Sequence, residues 1–176
     1  MTAVLTGRPA PSEYAPYYAR YVDRIPEGDL AAILEQQGAE IASLLGGLSE
    51  AQGNFRYAPG KWCVKELVSH VTDAERVFSY RALRFSRGDQ TELAGFDENR
   101  WTPNSGAAGR TLGEVASEFA AVRHATIALV RSLTEEQVGR SGVASGYPVT
   151  VRGQLYIIAG HAAHHMAVLR ERYLNG

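Results

Sequence analysis

Apolar residues return at three- and four-residue intervals through four long stretches of this chain, and strand signals are few. That pattern limits the fold more than any other feature. In residues 28–52 the stripe is Leu30, Ile33, Leu34, Ile41, Leu44, Leu45 and Leu48. The second stretch runs from Val64 to about Arg87, with Leu67, Val68, Val71, Ala74, Val77 and Phe78. The third runs from Leu112 to about Leu133, with Val115, Phe119, Val122, Ile127 and Val130. The fourth runs from Val151 to about Tyr173, with Leu155, Ile158, Ala162, His165 and Leu169. Thr111 and Glu114 fit a capping box, Thr150 reads as an N-cap, and Cys63 stands at the cap position with Glu66 at N3. Four such helices predict an all-α four-helix bundle.

The links are rich in helix breakers. "NFRYAPGK" (54–61) separates helices one and two, and "GRSGVASGYPVT" (139–150) predicts a turn or small hairpin between three and four. The link over 88–110 is long enough to permit a crossover, and a link of that length is usually functional or disordered. Ahead of helix one, Tyr14, Tyr17, Tyr18 and Tyr21 recur at helical spacing, which predicts a short helix held to the bundle by aromatic burial.

A chain of 176 residues suits a single domain over 1–176. Net charge is −1 and no Lys/Arg block stands out, which argues against a nucleic-acid partner. One cysteine, Cys63, excludes an intramolecular disulfide framework. No run reaches a transmembrane length, and "MTAVLTGRPAPSEYAP" lacks the charged and apolar regions of a secretory signal, so the expectation is a cytoplasmic protein.

Three of the five histidines fall in "GHAAHHMAVLRERY" (160–173): His161, His164 and His165. His161 and His165 lie four apart and share a helix face, the spacing that lets two imidazoles bind one ion. Ala162 follows His161, so the glutamate of an HExxH motif is absent. His164 also pairs with His161 at i,i+3, and spacing does not choose between it and His165. The apolar stripe turns His165 inward, sets His161 at the edge of that face and puts His164 nearer the rim. On helix two, His70 leans inward beside Val71. Residues from facing helices build sites inside bundles. For each inward histidine taken singly, a satisfied core residue is the simpler reading; His124 reads as a solvated or capping residue.

"GKWCVKELVSHVTDAERVFSYRALRF", "FDENRW", "EYAPYYARYVDRIPEGDL" and "GHAAHHMAVLRERY" together resemble the DinB/YfiT-like superfamily over nearly the whole chain. The resemblance implies an up-down-down-up four-helix bundle and one divalent metal ion per chain, held by His70, His161 and His165. Cys63 departs from the Ser or Thr usual at its position. The resemblance also implies either a thiol S-transferase using a low-molecular-weight thiol such as bacillithiol or mycothiol, or a metal-dependent hydrolase.

Three imidazoles leave a fourth position for water or substrate, the plan of a catalytic site. Imidazoles suit Zn or Ni, with Cu and Fe not separated by affinity order. Asp73 and Glu75 are candidates to receive a ligand's second N–H. Asp97, Asn99, Arg100 and Trp101 are candidates for a lid, with Trp101 otherwise an apolar anchor. No general base is evident, which favours thiol transfer over hydrolysis. A non-catalytic metal- or ligand-binding stress protein is the third reading. The expected partners are a small-molecule substrate and a second copy in a homodimer, with no membrane.

Overall fold

The computed structural model describes residues 5–174. The first four residues of the N-terminal stretch read above lie outside it. Helix α1 (Ala19–Val22) follows a 3-10 turn at Pro16–Tyr18, and α2 (Leu30–Gly46) opens where the Asp29 carboxylate accepts the Ala31 N–H at 3.0 Å. The stripe expected over 28–52 is broken: α2 ends at Gly46, and a separate turn α3 (Glu50–Asn54) starts from a Ser49 cap. Gly46, Gly47 and the capping serine favour ending a helix over continuing it. Helix α4 (Val64–Ser86) carries His70. Helix α5 (Glu98–Asn104) lies within the long link. Helix α6 (Leu112–Ser132) begins at the Thr111–Glu114 capping box, with the Thr111 N–H donating to Glu114 Oε2 at 2.8 Å. A short α7 (Glu135–Gly139) leads into a two-stranded antiparallel hairpin, β1 (Ser141–Ala144) and β2 (Tyr147–Thr150). Thr150 caps α8 (Val151–Val168), which widens into a π-helical turn over Leu169–Leu174.

Side-chain contacts set the directions of the four long helices. Tyr173, past the end of α8, donates to the Trp62 carbonyl just before α4, so these two run antiparallel. Glu75 meets Arg123 and Ser79 meets Thr126, which makes α4 and α6 parallel. Arg123 also reaches Gln37, while Arg131 pairs with Glu35, so α2 runs against α6. The order is up-down-down-up.

Two apolar clusters fill the bundle. One gathers Leu34, Phe78, Ile127, Leu155 and the tyrosine segment; the other gathers Ile41, Val68, Phe119 and Met166. A polar belt divides them. In it the buried Arg123 guanidinium grips Glu75 through Nε (2.9 Å) and Nη2 (2.8 Å) and donates to Gln37 Oε1 at 2.7 Å. Gln37 in turn donates to the Ala159 carbonyl at 2.9 Å. A buried charge is tolerated when it is paired and hydrogen-bonded in this way. Among the described residues no helix is long and apolar enough to cross a membrane.

Candidate metal centre

His70 stands two turns into α4, and His161 and His165 stand in the second half of α8. Because the two helices are antiparallel, these positions come level. His161 Nε2 lies 3.1 Å from His70 Nε2 and 3.1 Å from His165 Nε2. Two nitrogens bound to one tetrahedral ion at about 2.0–2.1 Å lie about 3.3 Å apart, so the spacing fits a shared ion. No acid stands among the three nitrogens. Burial holds all three rings neutral: it lowers the His70 pKa to about 4 and the His165 pKa to about 3, and it pushes His161 well below its ordinary value. The field of Glu98 opposes the shift at His70, while the other histidines add to it at His161 and His165. Neutral, convergent imidazoles with their Nε2 atoms together are what a borderline divalent cation takes.

The depths of the two α8 histidines are the reverse of what the apolar stripe predicts. His161 is buried at 6% exposure, and His165 is only half-buried. His161 packs edge-on against Tyr21 (ring centroids 5.4 Å apart) and Phe78 (5.8 Å), and the tyrosine segment that covers it is a tertiary neighbour invisible to helix periodicity. His165 sits where two pockets meet. One of about 290 Å³ holds all four histidines of the cluster region with Tyr18, Phe78, Phe96 and Glu98; the other, about 320 Å³, runs from Trp62 and Asn99 toward Tyr57 and Tyr173. His164 borders both pockets and lies against Tyr21, outside the three-nitrogen cluster.

The other candidates separate. Glu75 is taken up by Arg123 in the polar belt and does not support a histidine. Asp73 pairs with Arg76 at 3.2 Å, on the outer side of α4. The Asp97 carboxylate caps α5, accepting from the Asn99 (3.0 Å) and Arg100 (3.2 Å) N–H groups. Asn99 lines both pockets beside His165. Arg100 and Trp101 border an outer groove with Asp73; Trp101, 44% exposed, leans on Phe96 at 5.0 Å. The link therefore meets the pocket through Phe96, Glu98 and Asn99. Trp62, whose ring lies 4.9 Å from His70, and Arg20, stacked 3.8 Å over Tyr17, complete the walls. Sequence reasoning did not single out Glu98, the one acid in the pocket, although it sits inside "FDENRW".

Fold and site together define an up-down-down-up helical bundle with a cluster of three histidines at the junction of two pockets. The family model described as DinB superfamily matches residues 33–169, and the chain belongs to that superfamily. A protein of Geobacillus thermodenitrificans named "Putative metal-dependent hydrolase" is 29% identical over 144 residues, covering 78% of each chain. YfiT of Bacillus subtilis, named in the same way, is 22% identical over 142 residues, covering 79% of each. The solved structure of Bacillus subtilis YfiT, titled "a probable metal-dependent hydrolase with an unusual four-helix bundle topology", superposes with a TM-score of 0.74 at 18% identity, covering 98% of both chains.

Proposed function

We propose that the chain is a divalent-metal-dependent hydrolase of small molecules, with His70, His161 and His165 holding the ion. The observation that carries this reading is one carboxylate, Glu98, in the pocket that His70, His161 and His165 line. A bound divalent ion would supply Lewis acidity, polarising a substrate oxygen and acidifying water. Glu98 is placed to hold a proton at this end of the pocket and would serve as the general base, the role that the missing HExxH glutamate left empty. Trp62, Phe78 and Phe96 give the pocket apolar faces that orient a flat substrate and thin the water around the reacting bond. The relatives' names favour the same reading. Zn and Ni remain the ions of choice for three imidazoles.

Transfer to a small thiol is the second reading. It is favoured by the second pocket, which meets the first at Trp62, Asn99, His164 and His165 and would seat a co-substrate. An assay of a panel of small amides and esters on the Zn- and Ni-loaded protein, with and without an added thiol, separates the two. Hydrolysis without thiol is expected, and Glu98→Gln should lower kcat by about 10²–10⁴ while keeping its metal. Full turnover in Glu98→Gln removes Glu98 as the base; turnover only with thiol selects transfer.

A further inference from the structure

Two arginines lie almost wholly inside the bundle: Arg123 at 1% exposure and Arg81 at 2%. Their surroundings differ. Arg123 is neutralised by Glu75. Arg81 forms no ion pair with any carboxylate among the described residues. Its Nη2 donates to the Ala94 carbonyl at 2.7 Å and to Ser145 Oγ at 2.9 Å, and its guanidinium lies 5.8 Å from the centre of the Phe78 ring. A buried charge without a counter-charge is costly, and a protein keeps one where something else completes it. The groups around Arg81 point to where that completion lies. The Tyr18 hydroxyl also lies against the Arg81 guanidinium, and Ser145, Tyr18 and Phe78 all line the histidine pocket, with Phe78 near both Arg81 and His161.

Ser145 stands at a well-fixed point of the pocket wall. It is the one non-glycine residue with positive φ (55°) among the described residues, at the tip of the β1–β2 hairpin. Its N–H donates to the Leu93 carbonyl at 2.9 Å, and Leu93 N–H donates to the Val143 carbonyl at 3.0 Å. Positive φ at both Ser145 and Gly146 is what a two-residue hairpin turn of this kind requires, so the turn fixes the backbone that carries the Ser145 hydroxyl. Because Ser145 Oγ accepts from Arg81, its own proton is free to be donated into the mouth of the pocket. The charged side chains at the pocket are Arg20, Glu98 and, behind the wall, Arg81. The balance is positive before any cation is added.

We propose that the pocket takes a small carboxylate, whose anionic group sits at the mouth on the hydroxyls of Ser145 and Tyr18 with Arg81 as the counter-charge behind them. The reacting bond then lies at the histidine end, a placement that rests on the metal reading above. Arg81 is a positioning residue, acting through Ser145 and Tyr18.

The test is calorimetric titration of the metal-loaded protein with benzoate and with its neutral isostere benzamide. Benzoate should bind roughly tenfold tighter or better, the scale of a charge-assisted hydrogen bond. Arg81→Gln should erase the preference with metal content unchanged, and Arg81→Lys should keep part of it. Ser145→Gly fits the positive φ, preserves the turn and removes the hydroxyl, so it should lose the preference without unfolding; a purely structural Ser145 would leave it intact. The His165→Ala variant separates this seat from carboxylate binding on the ion. Preference that persists there supports the Arg81 seat, even if no metal is found and the hydrolase reading fails. Preference that disappears there but survives Arg81→Gln overturns it. Equal binding of benzoate and benzamide by the native protein, including no binding of either, overturns it as well.

Discussion

A thiol stands where α4 begins, and the residue next to it in space decides how that helix is capped. The Cys63 N–H donates to Glu66 Oε2 at 2.8 Å, and Arg56 pairs with the same carboxylate. The reciprocal acid of the capping box thus holds the turn, where a Ser or Thr hydroxyl would otherwise share the work. Cys63 itself is buried at 1% exposure, and burial pushes its thiol pKa up. Only the thiolate reacts, so a raised pKa leaves less of it at neutral pH. A thiol reagent at pH 7 is expected to label Cys63 far more slowly in the native protein than in denaturant; equal rates would contradict the buried cap. At this scale the sequence is legible where partners are local. His161 and His165 share a face by spacing alone, and Thr111 caps with Glu114. Glu75 was not legible, because its partner Arg123 lies 48 positions away on another helix. Glu98 escaped for the same reason: nothing in its own neighbourhood says that it faces His70.

At the scale of elements, the crossing of α8 over α1 is the tightest joint near the site. Gly160 precedes His161, and a β-carbon there would overlap the Tyr21 backbone carbonyl. Close approach lets the Tyr21 ring lie against His161. Gly160→Ala should therefore cost about 1–3 kcal/mol, the range for overpacking a well-filled joint. It should lower the thermal midpoint by several degrees and weaken metal affinity together. An unchanged midpoint would show that the joint has slack. The glycine of the "GH" pair was visible in the sequence, but its reason was not, since the obstacle is the backbone of a segment some 140 residues earlier. The short α5 was also hidden: it has seven residues, contains Pro103, and takes its start from the Asp97 cap within a stretch dominated by breakers.

At the scale of the whole molecule, the parallel pair α4 and α6 explains the long link. A 23-residue helix is about 34 Å long, and the chain must travel back along that length before α6 can begin beside the start of α4. The return path carries Phe96, Glu98 and Asn99 past the histidines, so the crossover that makes the topology also supplies the pocket's wall and its acid. The antiparallel pair α4 and α8 supplies the rest, setting an early residue of one helix level with late residues of the other. The helix count and the histidine face were readable from periodicity. The order of helices was not, because it depends on which faces meet, and here the resemblance to a family carried it.

The account stands on three imidazoles holding one divalent ion. The most direct measurement is elemental analysis of untagged protein, native and His165→Ala side by side, each after incubation with Zn and with Ni. The prediction is one ion per chain in the native protein and loss of stoichiometric binding in the variant, with both chains folded. A native protein that takes up neither ion, or a variant that keeps its full complement, would contradict it.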